Sequence, residues 1–278
     1  MKPAPFLYLR PDSLEGVHAA LAEYGDEAKL LAGGQSLLPL INFRLARPAV
    51  LVDLALVPGL DGMSVAEDGL RLGAMVRQWT IERSAQVTRD WPLLPRALAH
   101  VGHVQIRHRG TIGGSIAHAD PAAELPAVCL ALDAEFVVSS ATGQRTLPVG
   151  TFFTGPFGTT LGSDEVLTEV RIPPSAGQVM AFAELARRYG DFALAGVAAI
   201  AGNGRVRLAA FGVGWTAVRL QRAEACLAGS PLDDAAIAAA SAAASQEVEP
   251  IDDIHADAAY RRELLGVLVG RVLGELRG

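Results

Sequence analysis

The apolar positions along the chain change period several times, and each change predicts an element. Leu14, Val17, Leu21 and Tyr24 recur at helical spacing. Asp12 and Glu15 stand ahead of them at capping-box distance, with Asp in place of the usual Ser or Thr, and Gly25 ends the run. Residues 28–32 (AKLLA) and 49–54 (AVLVDL) read as short buried strands on either side of AGGQS and the apolar segment LLPLINFRL. The first 55 residues therefore predict a small β-α-β unit. MSVAEDGLRLGAMV predicts two strands across an Asp68-Gly69 turn. A helix is expected over 92–100, with Leu93, Leu94, Ala97 and Leu98 inward. TIGGSIAHADP reads as a loop. PAVCLALDAEFVVSS then predicts a helical turn and a strand, ATGQR a turn, and EVLTEVRIPP a strand stopped by two prolines.

The texture changes after Pro-Pro-Ser-Ala-Gly at 173–177. A domain boundary is expected there, giving a first domain over 1–175, with subdomains of about 1–55 and 56–175, and a second over 176–278. Three strands are expected beyond it, at 178–188, 194–201 and 205–213, the last two joined across Gly202-Asn203-Gly204. Three Ala- and Leu-rich helices follow, near 217–228, 233–246 and 257–276, with Gly229 and Pro231 separating the first two.

Composition narrows the function classes. Half of the 278 residues are hydrophobic, enough for a sizeable core. The net charge is −6 with only 24 Lys and Arg, so there is no basic field of the kind nucleic acid needs. The longest apolar run, FALAGVAAIAG at 192–202, is too short to cross a bilayer. MKPAPFLYLRPDS, broken by Arg10 and three prolines, has no signal-peptide core, and a cytoplasmic location is expected. Cys129 and Cys226 both lie in apolar stretches and read as buried, inert thiols. Two cysteines cannot supply the four or so ligands of an iron–sulfur cluster.

Two glycine pairs carry the candidate chemistry. In AGGQS, Gly33 and Gly34 follow a strand, and successive N–H groups there can converge on a phosphate, with Gln35 and Ser36 as further donors. A tight strand-to-helix turn is the alternative. TIGGSIAHADP repeats the pattern, with Thr111 and Ser115 flanking Gly113-Gly114. Two such nests suit a ligand with two phosphates. GxxxxGK[ST] does not occur, and GVGWTA at 212–217 lacks the strand-end acid of a dinucleotide fingerprint. His100, His103, His108 and His118 cluster in sequence, but Arg107 and Arg109 among them disfavour a metal.

LLAGGQSLLPLINFRLARPAVLVDL at 30–54 and IRHRGTIGGSIAHADPAAELPAV at 106–128 resemble the FAD-binding (medium) subunit of the molybdenum hydroxylases, the carbon monoxide and xanthine dehydrogenase type. The likeness continues through RRYGDFALAGVAA and AYRRELLGVL, and so covers nearly the whole chain. It implies an α+β protein: an FAD-binding fold of the vanillyl-alcohol-oxidase (PCMH) type in two subdomains. A C-terminal domain with a three-stranded antiparallel sheet and a helical bundle would follow. It further implies that the two glycine segments wrap the FAD pyrophosphate and ribose. Leu31, Ala32, Gly33, Gly34, Gln35, Ser36 and Leu37 match the first FAD segment; Thr111, Ile112, Gly114 and Ser115 match the second. Glu124 falls at an acidic position near the adenosine ribose, Val101 and Leu167 at apolar contacts beside the flavin, and Phe192 at an aromatic position near the isoalloxazine. Gln35 stands where the carbon monoxide enzymes carry His, and Phe192 replaces a Tyr.

The implied function is electron transfer: from [2Fe–2S] clusters of a small partner subunit, through FAD, to an external acceptor. Substrate is oxidised at a molybdenum cofactor on a large partner subunit, and a dimer of heterotrimers is expected. No membrane span or nucleic-acid partner is expected. The alternatives are a self-contained FAD-dependent oxidase or reductase of the same superfamily, and a scaffold that has lost its flavin.

Overall fold

The computed structural model describes residues 2–278. Its first layer is a three-stranded parallel sheet built from β1 (Leu7–Leu9), α1 (Leu14–Tyr24), β2 (Ala28–Leu31), α2 (Leu37–Asn42) and β3 (Val50–Asp53), in the order β1-β3-β2. The β-α-β reading of this region holds. Two details differ. Ser13, not Asp12, caps α1: it is the residue with extended backbone (φ −150°, ψ 158°) immediately before the helix, and its Oγ accepts the Gly16 N–H at 3.2 Å. Strand β2 is buried only at Ala28; Leu30 and Leu31 are half-buried because the strand lies at the sheet edge.

The middle of the chain adds β4 (Met63–Ala66), β5 (Gly69–Gly73) and six helices: α3 (Gln78–Arg83), α4 (Ala85–Asp90), α5 (Leu93–Leu98), α6 (Val104–Arg109), α7 (Ile112–His118) and α8 (Glu124–Ala131). Strands β6 (Glu135–Ser140), β7 (Gly143–Pro148), the small hairpin β8 (Phe153–Gly155) and β9 (Gly158–Thr159), and β10 (Val166–Ile172) follow. Five of these strands form an antiparallel sheet ordered β4-β5-β10-β6-β7. The inward residues expected of α5 are all fully buried, and α8 is buried on every side.

The last sheet comprises β11 (Val179–Ala186), β12 (Ala193–Gly202), β13 (Arg205–Phe211) and β14 (Val218–Arg219), all antiparallel. It has four strands rather than the expected three, because residues after β13 return to pair as a two-residue edge. The β12–β13 turn places Asn203 and Gly204 at positive φ (53° and 71°), as a tight hairpin requires. Helices α9 (Gln221–Leu227), α10 (Asp234–Glu247) and α11 (Ala258–Arg277) cover one face. The small-residue run of β12 is buried on both faces. Ala198 and Ile200 join the core of the five-stranded sheet, whereas Val197 and Ala199 join the core under α11. Arg261 ties α11 to this sheet by donating to the carbonyls of Leu194 (2.6 Å) and Gly212 (2.9 Å) and to Asp253 (2.7 Å).

One of the two cysteines departs from expectation. Cys129 is fully buried in α8, but Cys226 is exposed, since α9 turns it away from its packed face at Ala223 and Leu227. No helix of the described residues is long and apolar enough to cross a membrane.

Candidate functional site

A cavity of about 510 Å³ opens where the three sheets meet. One wall is the turn from β2 into α2. Gly34 takes φ +74°, and Gln35 donates its side-chain N–H to the Gly33 carbonyl at 3.2 Å. Among the described residues, the backbone N–H groups of Gly33, Gly34, Gln35, Ser36 and Leu37 have no acceptor within the protein. Five consecutive free donors beside a cavity make a nest for an anion.

The second glycine segment is built differently from the sequence reading. TIGGSIAH is not a loop: Thr111 caps the helix α7, and its Oγ1 accepts the Gly114 N–H at 3.1 Å. The N–H groups of Ile112 and Gly113 donate to the Val76 and Ala74 carbonyls, at 3.0 and 2.9 Å. That segment is therefore no second nest, because its own fold uses the donors. Its glycines serve packing. A Cβ on Gly113 would lie 2.7 Å from the Ala74 carbonyl oxygen. A Cβ on Gly114 would lie 2.7 Å from Thr111 Oγ1 and 3.3 Å from Ala32 Cβ, filling the space between the two segments.

The structure brings most of the matched positions together. Ala32 through Leu37 line the cavity, facing Thr111, Gly114 and Ser115. Val101, Glu124, Leu167 and Phe192 line it as well. Val101 is fixed from behind by Arg107, which donates to the Val101 and Gly102 carbonyls and pairs with Glu82 at 2.8 Å. Phe192 stands at the rim with 69% of its surface exposed. Its turn is anchored by the Tyr189 hydroxyl, which donates to the Ala99 carbonyl at 2.9 Å. Two positions lie elsewhere. The Ile112 side chain is fully buried in the core, and Leu31 faces a separate, smaller cavity behind the glycine turn.

Several lining residues carry no signal in the sequence. Gln78, at the start of α3, is buried, and its Oε1 has no partner among the described residues. Lys29 reaches the cavity from β2, and Asp120, Glu165 and Asp191 reach it from three separate loops. The alternation of β2 alone hints at Lys29, one residue of a strand edge pointing out of the sheet.

Glu124 is the electrostatic anomaly. It is 7% exposed, and burial, followed by the nearby charge of Glu184, pushes its carboxyl up to about 8. Glu184, on β11, has one carboxyl oxygen 3.3 Å from His100 Nδ1 and the other buried without a partner among the described residues. Burial also lowers the His118 pKa, against the opposing pull of Asp120, which favours the neutral imidazole at this cavity wall. The four clustered histidines disperse in space: His108 stacks on Trp79, His103 lies by Tyr189, and His118 packs on Phe157. Among the described residues, no three His, Cys, Asp or Glu side chains gather as a metal site.

Residues 4–175 match the FAD binding domain in molybdopterin dehydrogenase, and residues 180–276 match the CO dehydrogenase flavoprotein C-terminal domain. The chain belongs to this flavoprotein family. It is 42% identical to 6-hydroxypseudooxynicotine dehydrogenase complex subunit alpha of Paenarthrobacter nicotinovorans, over 99% of this chain and 95% of that protein. It is 38% identical to the carbon monoxide dehydrogenase medium chain of Hydrogenophaga pseudoflava, over 98% and 97%. The carbon monoxide dehydrogenase structure from that organism superposes with a TM-score of 0.96, covering 99% of this chain and 98% of that one at 38% identity. Quinoline 2-oxidoreductase from Pseudomonas putida 86 gives 0.93, covering 100% and 98% at 38% identity. The protein is thus an FAD-binding oxidoreductase subunit of the carbon monoxide and xanthine dehydrogenase family, with the α+β architecture of the medium subunits.

The residues present fit FAD. The free N–H groups of residues 33–37 suit a pyrophosphate, and Gly114 leaves a gap that any side chain would close. Val101, Leu167 and Leu54 give an apolar wall for a ring system.

Proposed function

We propose that this chain is the electron-transfer subunit of a molybdenum hydroxylase complex. It receives electrons from [2Fe–2S] clusters on a small partner subunit and passes them to an external acceptor. Substrate is oxidised at a molybdenum cofactor on a large partner, in a cytoplasmic dimer of heterotrimers. The single observation that carries the reading is the row of five unpaired backbone donors facing a glycine-walled cavity. FAD, when bound, supplies both one- and two-electron chemistry.

The chain's own residues do the holding. Gly33 to Leu37 would bind the pyrophosphate, with Ala32 and Leu31 shaping the turn. Thr111, Ile112, Gly114 and Ser115 would hold the opposite side, Ile112 through its place in the core and Ser115 through its hydroxyl. Glu124 would meet the adenosine ribose; its buried carboxyl, kept protonated near neutral pH, can donate as well as accept a hydrogen bond there. Val101, Leu167 and Phe192 would frame the flavin, excluding water on the Val101 side. No acid or base on this chain is needed, because the substrate reacts elsewhere. The chain would fold as a vanillyl-alcohol-oxidase type FAD unit over 1–175, in subdomains of about 1–55 and 56–175, joined to a C-terminal domain over 176–278.

Affinity purification of the tagged chain from its host tests this. Flavin absorbance with iron, molybdenum and two further chains is the expected result. A yellow chain purifying alone, and reduced directly by a small organic substrate, would make it a self-contained flavoenzyme instead.

A further inference from the structure

A second cavity, about 220 Å³, lies behind the Gly33–Gly34 turn, which forms a wall of both cavities. It sits at the carboxyl edge of the parallel sheet: Arg10 follows β1, Leu31 ends β2 and Asp53 ends β3. Crevices at that edge are where open α/β sheets bind ligands. Arg10, Arg77 and Arg109 line this cavity together with one acidic residue, Asp53.

The single carboxylate is already engaged. Asp53 accepts from the Tyr8 hydroxyl and the Ala55 N–H and lies 3.6 Å from Arg10. Arg77 and Arg109 have no carboxylate partner among the described residues. Arg77 instead donates to the backbone carbonyl of Arg109, which keeps the two residues together. Burial, and after it the positive charge of Arg109, lowers the pKa of Arg77. Two like charges crowded at a cavity are relieved by an anion.

We infer that this second cavity is an anion site of its own, separate from the FAD cavity, and that it takes a phosphate group. Guanidinium forks match the oxygens of a phosphate, and Arg77 and Arg109, which lack a carboxylate partner among the described residues, leave positive charge that an anion would balance beyond what Asp53 and the nearby Asp61 supply. The source is either free phosphate or the phosphate of a nucleotide. The inference rests on the FAD reading only in placing the flavin on the other side of the glycine turn.

The test is a calorimetric titration of the purified, FAD-loaded complex with inorganic phosphate and, separately, with ADP. Saturable binding is expected with the flavin retained. It should weaken at least tenfold in Arg109→Glu and recover in Arg109→Lys, with far-UV circular dichroism unchanged. Arg77→Met serves as a second variant should Arg109→Glu not fold. Phosphate binding as tightly as ADP assigns free phosphate; ADP binding more tightly, with the same Arg109 dependence, assigns a nucleotide. No binding, binding indifferent to both arginines, or displacement of FAD by phosphate overturns the separate site. A colourless complex would overturn the FAD reading instead, and the same titration on it would still decide this cavity.

Discussion

Gly33 and Gly110 are packed backbone to backbone: a Cβ on Gly33 would lie 2.8 Å from the Gly110 Cα and closer still to the Arg109 carbonyl oxygen. This contact joins two segments almost eighty residues apart and sets the spacing between the nest and α7. Gly33 does not take a positive φ, so its requirement is one of space and not of backbone conformation. Gly33→Ala must push one backbone away from the other. A loss of about 1–3 kcal/mol is expected, read as a lowered Tm, together with substoichiometric flavin. A variant that keeps wild-type Tm and full flavin content would show that the segments are not so tightly coupled.

Gly113 and Gly114 are expected to separate stability from binding. Gly113→Ala meets Ala74 and should lower Tm by overpacking. Gly114→Ala puts its methyl group into the cavity beside Ala32, and should weaken FAD binding of the apoprotein at least tenfold with a smaller change in Tm. Fluorescence titration with FAD alongside thermal melts would distinguish them; equal effects on both readouts from both variants would contradict the assignment.

Glu124 predicts a pH dependence. Its pKa in the folded protein, about 8, lies above the ordinary 4.5, so the folded state binds the proton more tightly than the unfolded state. Stability of the flavin-free protein from this group is full below about pH 4.5 and declines as pH rises to about 8. Glu124→Gln should flatten that decline and raise the relative stability at pH 8. Parallel urea denaturation curves at pH 5, 6.5 and 8 would measure it, and an unchanged slope would mean that the carboxyl is not held protonated.

The cysteines give a simple chemical contrast. Burial pushes the Cys129 thiol up to about 12, whereas Cys226 is exposed. One thiol per native chain should react with an aromatic disulfide reagent, and the second only in denaturant. Cys226→Ser should abolish the native reaction.

Arg261 should matter to stability far from the cavity. It satisfies the buried Leu194 carbonyl and the half-buried Gly212 carbonyl and pairs with Asp253, so Arg261→Met leaves these acceptors unmatched. A cost of about 2–4 kcal/mol is expected from the orphaned groups, seen as a lower denaturation midpoint with flavin content preserved. A near-neutral effect would mean that solvent reaches those carbonyls.

Much was legible along the chain because it is local. The helix spacing of Leu14, Val17 and Leu21, the inward face of α5 and the Asn203-Gly204 hairpin follow from side-chain period and from which residues tolerate positive φ. The sequence also picked out both glycine pairs. It could not say that they do different work. Whether an N–H is free depends on what lies opposite it, and only the fold brings the Ala74 and Val76 carbonyls to Gly113 and Ile112 while leaving residues 33–37 unpaired. The same holds for Cys226, whose apolar neighbours in sequence are not its neighbours in space, and for β14, whose two residues have no period to read. Gln78, Glu184 and the arginines behind the glycine turn gained their roles from contacts between distant segments. Local pattern decided which elements form; long-range packing decided which of their polar groups remain available for chemistry.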